Sequence, residues 1–278
     1  FIERQIQAGK PFYLQLSHYG GGSQEEVSPE TLKDVSARLG NLREKELCEA
    51  GVVADMDKAI GRLLDRVDQL GIRDRTYIFY SADHGSPGRN PPLSGGKGSV
   101  LEGGLRVPFI IRGPGIKPAA VSHVRAIGWD LLPTLADLTG VKPTLPDQIE
   151  GGSLRPVLDG GGEGTIRRPG DAVVVHFPHY DLANGGPASA IWLGDLKLIR
   201  SYKTGVSTLY DLSSDYAERH NLAKEMPEKF RELDRRLTEY LKAVNAQMPT
   251  PNAGYDPAGP NGMKGDRNDP RRGRRSPR

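Results

Sequence analysis

One cysteine in 278 residues, Cys48, excludes an internal disulfide framework and leaves the redox compartment open. No apolar run approaches the roughly 20 residues needed to span a bilayer. A basic footprint for nucleic acid is missing too. The formal charge of +3 is concentrated in residues 264–278, which hold seven of the 38 basic and two of the 35 acidic residues. The rest carries 31 basic against 33 acidic residues, too near neutrality to attract a phosphate backbone. No internal repeat is evident, and the chain opens at Phe1-Ile2-Glu3 without an initiator methionine or secretion signal, as expected of the C-terminal part of a longer protein. At 36% hydrophobic and 26% charged, what remains is globular in composition, with length for one large core or two smaller ones.

The most informative stretch is Tyr80-Ser-Ala-Asp83-His84-Gly85 through Gly95-Gly96-Lys97-Gly98 and Glu102-Gly-Gly-Leu-Arg106-Val-Pro108. The apolar residues 76–80 predict a strand that delivers Asp83 and His84 to a sheet edge, where open α/β folds place their ligands. Asp83 offers a hard anionic oxygen and His84 a neutral nitrogen; the glycines let backbone approach an anion closely, and Lys97 adds a compact positive charge. An Asp-His-Gly turn taken alone is equally a β-turn with a capping aspartate. Arg106 is read as structural, paired with a carboxylate such as Glu102.

Around this stretch the chain reads as alternating helix and strand. Residues 11–17 predict a buried strand and residues 20–40 a polar loop. Apolar positions from Val53 to Leu70 recur every three or four residues, predicting an amphipathic helix over 45–70 closed by Gly71, with Cys48 on its apolar face. A strand is expected at 107–112 and a helix at 129–138. This alternation predicts an α/β fold with a mostly parallel central sheet flanked by helices. Beyond a glycine- and arginine-rich connection at 159–170, short apolar runs joined by turns predict a small antiparallel sheet, followed by a helix over 225–244. The expected domains are 1–160, the α/β core; 171–248, the small C-terminal subdomain; and 249–278, a tail too poor in large apolar residues to fold. Arg271, Arg272, Arg274 and Arg275 in that tail read as a solvated charge run, with contact to an anionic polymer as the alternative.

With Lys97-x4-Glu-Gly-Gly-x-Arg-Val-Pro in place, the chain resembles the sulfatase family, the formylglycine-dependent branch of the alkaline-phosphatase-like superfamily. The likeness runs over about 245 residues and includes Pro11-Phe-Tyr-Leu-Gln-Leu-Ser-His18-Tyr19, Trp129-Asp130-Leu-Leu-Pro133-Thr134, and Leu209-Tyr-Asp211 with Asp215, Glu218 and Asn221-Leu222. It implies that Asp83 and His84 ligate calcium, with magnesium as the other candidate, and that Lys97 contacts the sulfate. Two features depart from the pattern. The Cys-x-Pro-x-Arg motif that supplies formylglycine is absent, since Cys48 is followed by Glu-Ala-Gly-Val, so formylglycine is expected only in an N-terminal part. The later histidine of the first motif aligns with Gly22, which cannot transfer a proton; His18 is the candidate substitute, or else an ordinary histidine at a strand end.

In the C-terminal subdomain His176, His179, Tyr180 and Asn184 flank Pro178 and are candidate substrate contacts, because sugar hydroxyls need closely placed donors and acceptors. The alternative is that the histidines bond loop backbone. The expected function is hydrolysis of a sulfated carbohydrate or another sulfate ester, small or polymeric, in a periplasmic or secreted protein, with this chain alone inactive for want of a nucleophile. A zinc phosphoesterase of the same superfamily and a non-catalytic sulfatase-like binding protein are the competing readings.

Overall fold

The computed structural model describes residues 1–18, 27–40, 42–88, 90–141, 146–180 and 186–250, so the tail lies almost wholly outside the described residues. Two compact units are present: residues 1–78 with 111–116, and residues 79–110 with the chain from 117 on. No described helix is long and apolar enough to cross a membrane.

The first unit contains α1 (Ile2–Gln7), α2 (Pro29–Leu39) and α3 (Glu44–Gln69). Ser28 caps α2 through its hydroxyl, 3.1 Å from the Thr31 amide. Gly51 on α3 lets Val27 pack where a Cβ would stand, and Cys48 is buried on that helix as its spacing predicts. The helix ends as Gly71, at φ +65°, donates to Asp68 and Ile72 donates to Val67, a closure that favours glycine at the left-handed position.

The buried strand expected at 11–17 does not form. These residues carry no regular element, and Tyr13 and Leu16 are 68% and 53% exposed. Alternating apolar residues make a strand only when a neighbour takes their backbone groups, and among the described residues none does. Of the expected central sheet, the described residues supply two paired strands, β1 (Ile78–Ser81) and β2 (Phe109–Arg112), with α4 (Glu102–Leu105) between them in sequence. The helix expected at 129–138 is a 3-10 turn, Gly128–Asp130, running into α5 (Leu131–Thr139), and α6 (Arg155–Asp159) follows.

The antiparallel C-terminal sheet is as expected: β3 (Ala172–Phe177), β4 (Ala188–Leu193), β5 (Leu196–Ser201) and β6 (Ser207–Asp211) pair in sequence order. Strand alternation sorts its side chains onto two faces. Val174, Ile191, Leu198 and Leu209 meet Leu233, Leu237 and Leu241 of α7 (Pro227–Ala243). Each of those helix leucines contributes about 1.5–3 kcal/mol by leaving water. The other face, with Val173, Ala190, Trp192 and Ile199, is closed by Val100, Leu101, Leu105 and Ile127. That second contact explains why compactness does not divide the chain near residue 160: the sheet shares a core with the segment after β1.

Tyr240 on α7 donates to Glu150, 2.9 Å from each carboxylate oxygen. Burial and then this partner push its ionisation up to about 12 from the ordinary 10. A folded value above the unfolded one stabilises below pH 10 and is lost as pH rises from there through 12. The phenolate absorbance near 295 nm should therefore show one late-titrating tyrosine that Tyr240→Phe removes. A titration unchanged by the substitution would reject the assignment.

Candidate active site

Directly after β1 the chain enters a backbone knot that depends on glycine. The Gly85 amide donates to Gly104, Lys97 to Ser86 and Gly103 to Ser94, at 2.9, 3.0 and 2.7 Å. A Cβ at Gly85 would overlap the Gly103 carbonyl, and one at Gly103 the Ser94 carbonyl. Asn90, which sequence reading missed, ties the interior: its amide nitrogen donates to Ser86, Gly88 and Gly95, and its oxygen accepts from the Ser86 amide. Gly95 and Gly98, at φ +77° and +81°, flank Lys97 and present it on the surface.

Asp83 and His84 lie at the entry of this knot. His84 Nδ1 is 2.9 Å from the Gly85 carbonyl, which only accepts, so in the neutral ring Nδ1 carries the proton. Nε2 then presents its lone pair 3.2 Å from Asp83 Oδ2. The imidazole is thus oriented by a backbone carbonyl, with Nε2 and the Asp83 carboxylate side by side. Asp83 Oδ1 meanwhile accepts the His84 amide at 3.0 Å, so the turn-capping reading holds as well. Among the described residues no group of three or more His, Cys, Asp or Glu assembles around them.

Arg106 does not pair with Glu102; its guanidinium lies over the Tyr216 ring, 5.9 Å from the centroid. Glu102 instead accepts from Lys197 Nζ at 2.9 Å, and Glu218 Oε1 stands 2.7 Å from the same ammonium. Lys197 is completely buried on β5, with its ammonium 4.6 Å from the Trp192 ring centroid. The Glu218 carboxyl is pushed above the ordinary carboxylate range, chiefly by burial, with Lys197 pulling the other way. Lys197 escaped sequence reading because it sits in an apolar run; a charged residue at an inward strand position was the available signal.

The C-terminal candidates separate. Both ring nitrogens of His176 are engaged, Nδ1 with the Ser189 side-chain Oγ at 2.7 Å and Nε2 with the Gln247 backbone carbonyl at 2.9 Å. His179 and Tyr180 are exposed, His179 edge-on to Phe177 at 5.2 Å. Asn184 and Gly22 lie outside the described residues, and His18 is exposed in the first unit. A cavity of roughly 200 Å³ lined by Arg125, Ile166, Arg168 and Trp192 includes none of Asp83, His84 and Lys97.

Two family models match, Sulfatase over residues 1–141 and N-sulphoglucosamine sulphohydrolase, C-terminal, over residues 96–247. Arylsulfatase K of Xenopus laevis is 31% identical over 193 residues, covering 66% of this chain, which in turn spans 34% of that protein's length. Among solved structures, Ps i-CgsB in complex with k-i-k-neocarrahexaose superposes with a TM-score of 0.75 at 23% identity, over 90% of this chain and 53% of that one. The structure of BT4656 in complex with D-glucosamine-2-N,6-O-disulfate gives 0.60 at 26% identity, over 78% and 46%.

Proposed function

The chain belongs to the sulfatase family, which has the alkaline-phosphatase-like fold, and from that premise we propose that its site serves hydrolysis of sulfate esters on carbohydrates. One observation carries the reading: the Asp83–His84 pair and Lys97 are held in a single backbone knot, through the Lys97 amide on Ser86. An N,O donor pair without thiolate suits calcium or magnesium and gives zinc little advantage. The pair fits such an ion but falls short of the six to eight oxygens calcium takes, so further oxygen donors would be needed to complete the set. A cation there would neutralise charge on the sulfonyl oxygens.

Lys97 then neutralises a further sulfate oxygen or protonates the departing oxygen. His179, Tyr180 and Asn184 contact the sugar, and the protein acts in the periplasm or outside the cell. Cys48, buried in a helix and outside any Cys-x-Pro-x-Arg motif, is not the nucleophile.

The test is an assay of a polypeptide carrying these residues together with such a motif. Aryl sulfate should turn over with calcium, and Asp83→Ala should lower kcat/KM by about 10²-fold or more. Phosphomonoester turnover dependent on zinc would establish the phosphoesterase reading instead. Binding of sulfated sugar without turnover would establish the non-catalytic one.

A further inference from the structure

We propose that Lys197, clamped between Glu102 and Glu218, is the positioning residue of the Lys97 turn: a buried ionic anchor that fixes the site loop to the C-terminal sheet. The inference rests on the assignment of Lys97 to the substrate anion. It starts from an oddity of the sheet. Residue 197 sits opposite Trp192, on the face that carries Val173, Ala190 and Ile199, where alternation calls for an apolar side chain. The chain places there a lysine with no exposed side-chain surface and surrounds it with two carboxylates.

Such a cluster is a poor source of stability, since desolvating the charges offsets most of their attraction and a well-packed apolar residue does as well or better. What it does supply is registry, because an ammonium tolerates only the arrangement that brings both carboxylates to it. Glu102 opens α4, just beyond the Lys97 turn, and its amide donates to Glu218 Oε2 at 2.7 Å. Glu218 thus caps from afar a helix whose own N-cap, Leu101, has no side chain to offer.

The turn that presents Glu218 is itself heavily fixed. Asp215 Oδ2 accepts the Arg219 and His220 amides, Asn221 Oδ1 accepts the Leu209 amide, and Glu218 is held at φ +56°, a left-handed conformation unfavourable for any residue with a Cβ. Two more contacts join the same turn to the site loop: Ser94 Oγ donates to the Ala217 carbonyl at 2.6 Å, and Arg106 stacks on Tyr216. Lys97 lies between Ser94 and Glu102, so its turn is pinned at both ends to one rigid corner of the C-terminal sheet.

Site-resolved amide exchange tests this on the chain as it stands, with kinetics on the polypeptide that also carries the nucleophile. Lys197→Met should speed exchange of the Lys97 and Gly103 amides about tenfold while the β4–β5 ladder amides keep their protection. Glu102→Ala should do the same, whereas Glu102→Gln, which keeps an acceptor for the ammonium, should retain protection. In turnover, Lys197→Met should lower kcat more than it raises KM, the mark of a misplaced transition-state contact. Unchanged exchange at Lys97 in both Lys197→Met and Glu102→Ala would overturn the proposal, as would an increase shared equally by the ladder. If exchange at the turn quickens but Lys97→Ala leaves turnover untouched, the anchor stands and the assignment of Lys97 to the anion falls.

Discussion

Asp130→Ala is expected to destabilise the fold by about 3–5 kcal/mol, the cost of stranding a buried charge whose partner has been removed. Asp130 is completely buried and all its acceptor capacity is in use: Oδ1 takes the Gly152 amide and Arg168 Nε at 3.0 and 2.9 Å, and Oδ2 takes the Ile127 amide and Arg168 Nη2 at 2.8 and 2.6 Å. Arg168 has 15% of its side chain exposed and cannot easily turn to water once the carboxylate is gone. The same node draws in α5, because Thr134 donates to the Asp130 carbonyl and accepts the Leu154 amide. For a chain of this size the loss corresponds to roughly 6–20 °C in Tm. Asp130→Ala with Arg168→Met should recover part of it, because no unpaired charge is then left inside. A single variant that melts within about 2 °C of the parent would show that the node carries no such weight.

This node bears on what the sequence made legible. Trp129-Asp130 and the Asp211–Asn221 segment carried the family resemblance, yet in the structure their polar residues build turns and caps. Such residues mark a fold as clearly as a reaction centre does, because a buried carboxylate that must accept several amides admits few substitutes. The helix over 45–70 and the antiparallel sheet were readable because 3.6-residue and two-residue periodicities are local properties. The lack of a strand at 11–17 was not, because pairing depends on a neighbour that no local pattern reveals. In the candidate site, the tight turns that carry Asp83, His84 and Lys97 were legible from glycine spacing. The clamp of Lys197 with Glu102 and Glu218 was hidden because its members are far apart in sequence, which is also why Arg106 was assigned the wrong partner.

Lys97→Ala is expected to lower kcat/KM for a sulfate ester by about 10²–10³-fold, the range seen when one preorganised charge-stabilising donor is deleted. The substitution is clean by construction. The Lys97 side chain is exposed, so its removal opens no cavity, and the amide that donates to Ser86 survives in alanine. Gly95 and Gly98 continue to supply the left-handed corners, leaving circular dichroism and melting unchanged while activity falls. The loss should appear in kcat, since charge on the departing oxygen and on the sulfonyl oxygens peaks in the transition state. Lys97→Arg separates the two roles assigned to the residue. If Lys97 only neutralises charge, arginine restores much of the rate; if it also gives up a proton, arginine does not, because a guanidinium keeps its proton. A Lys97→Ala variant within threefold of the parent, assayed where Asp83→Ala is inactive, would move the sulfate contact to another residue while leaving the cation pair in place.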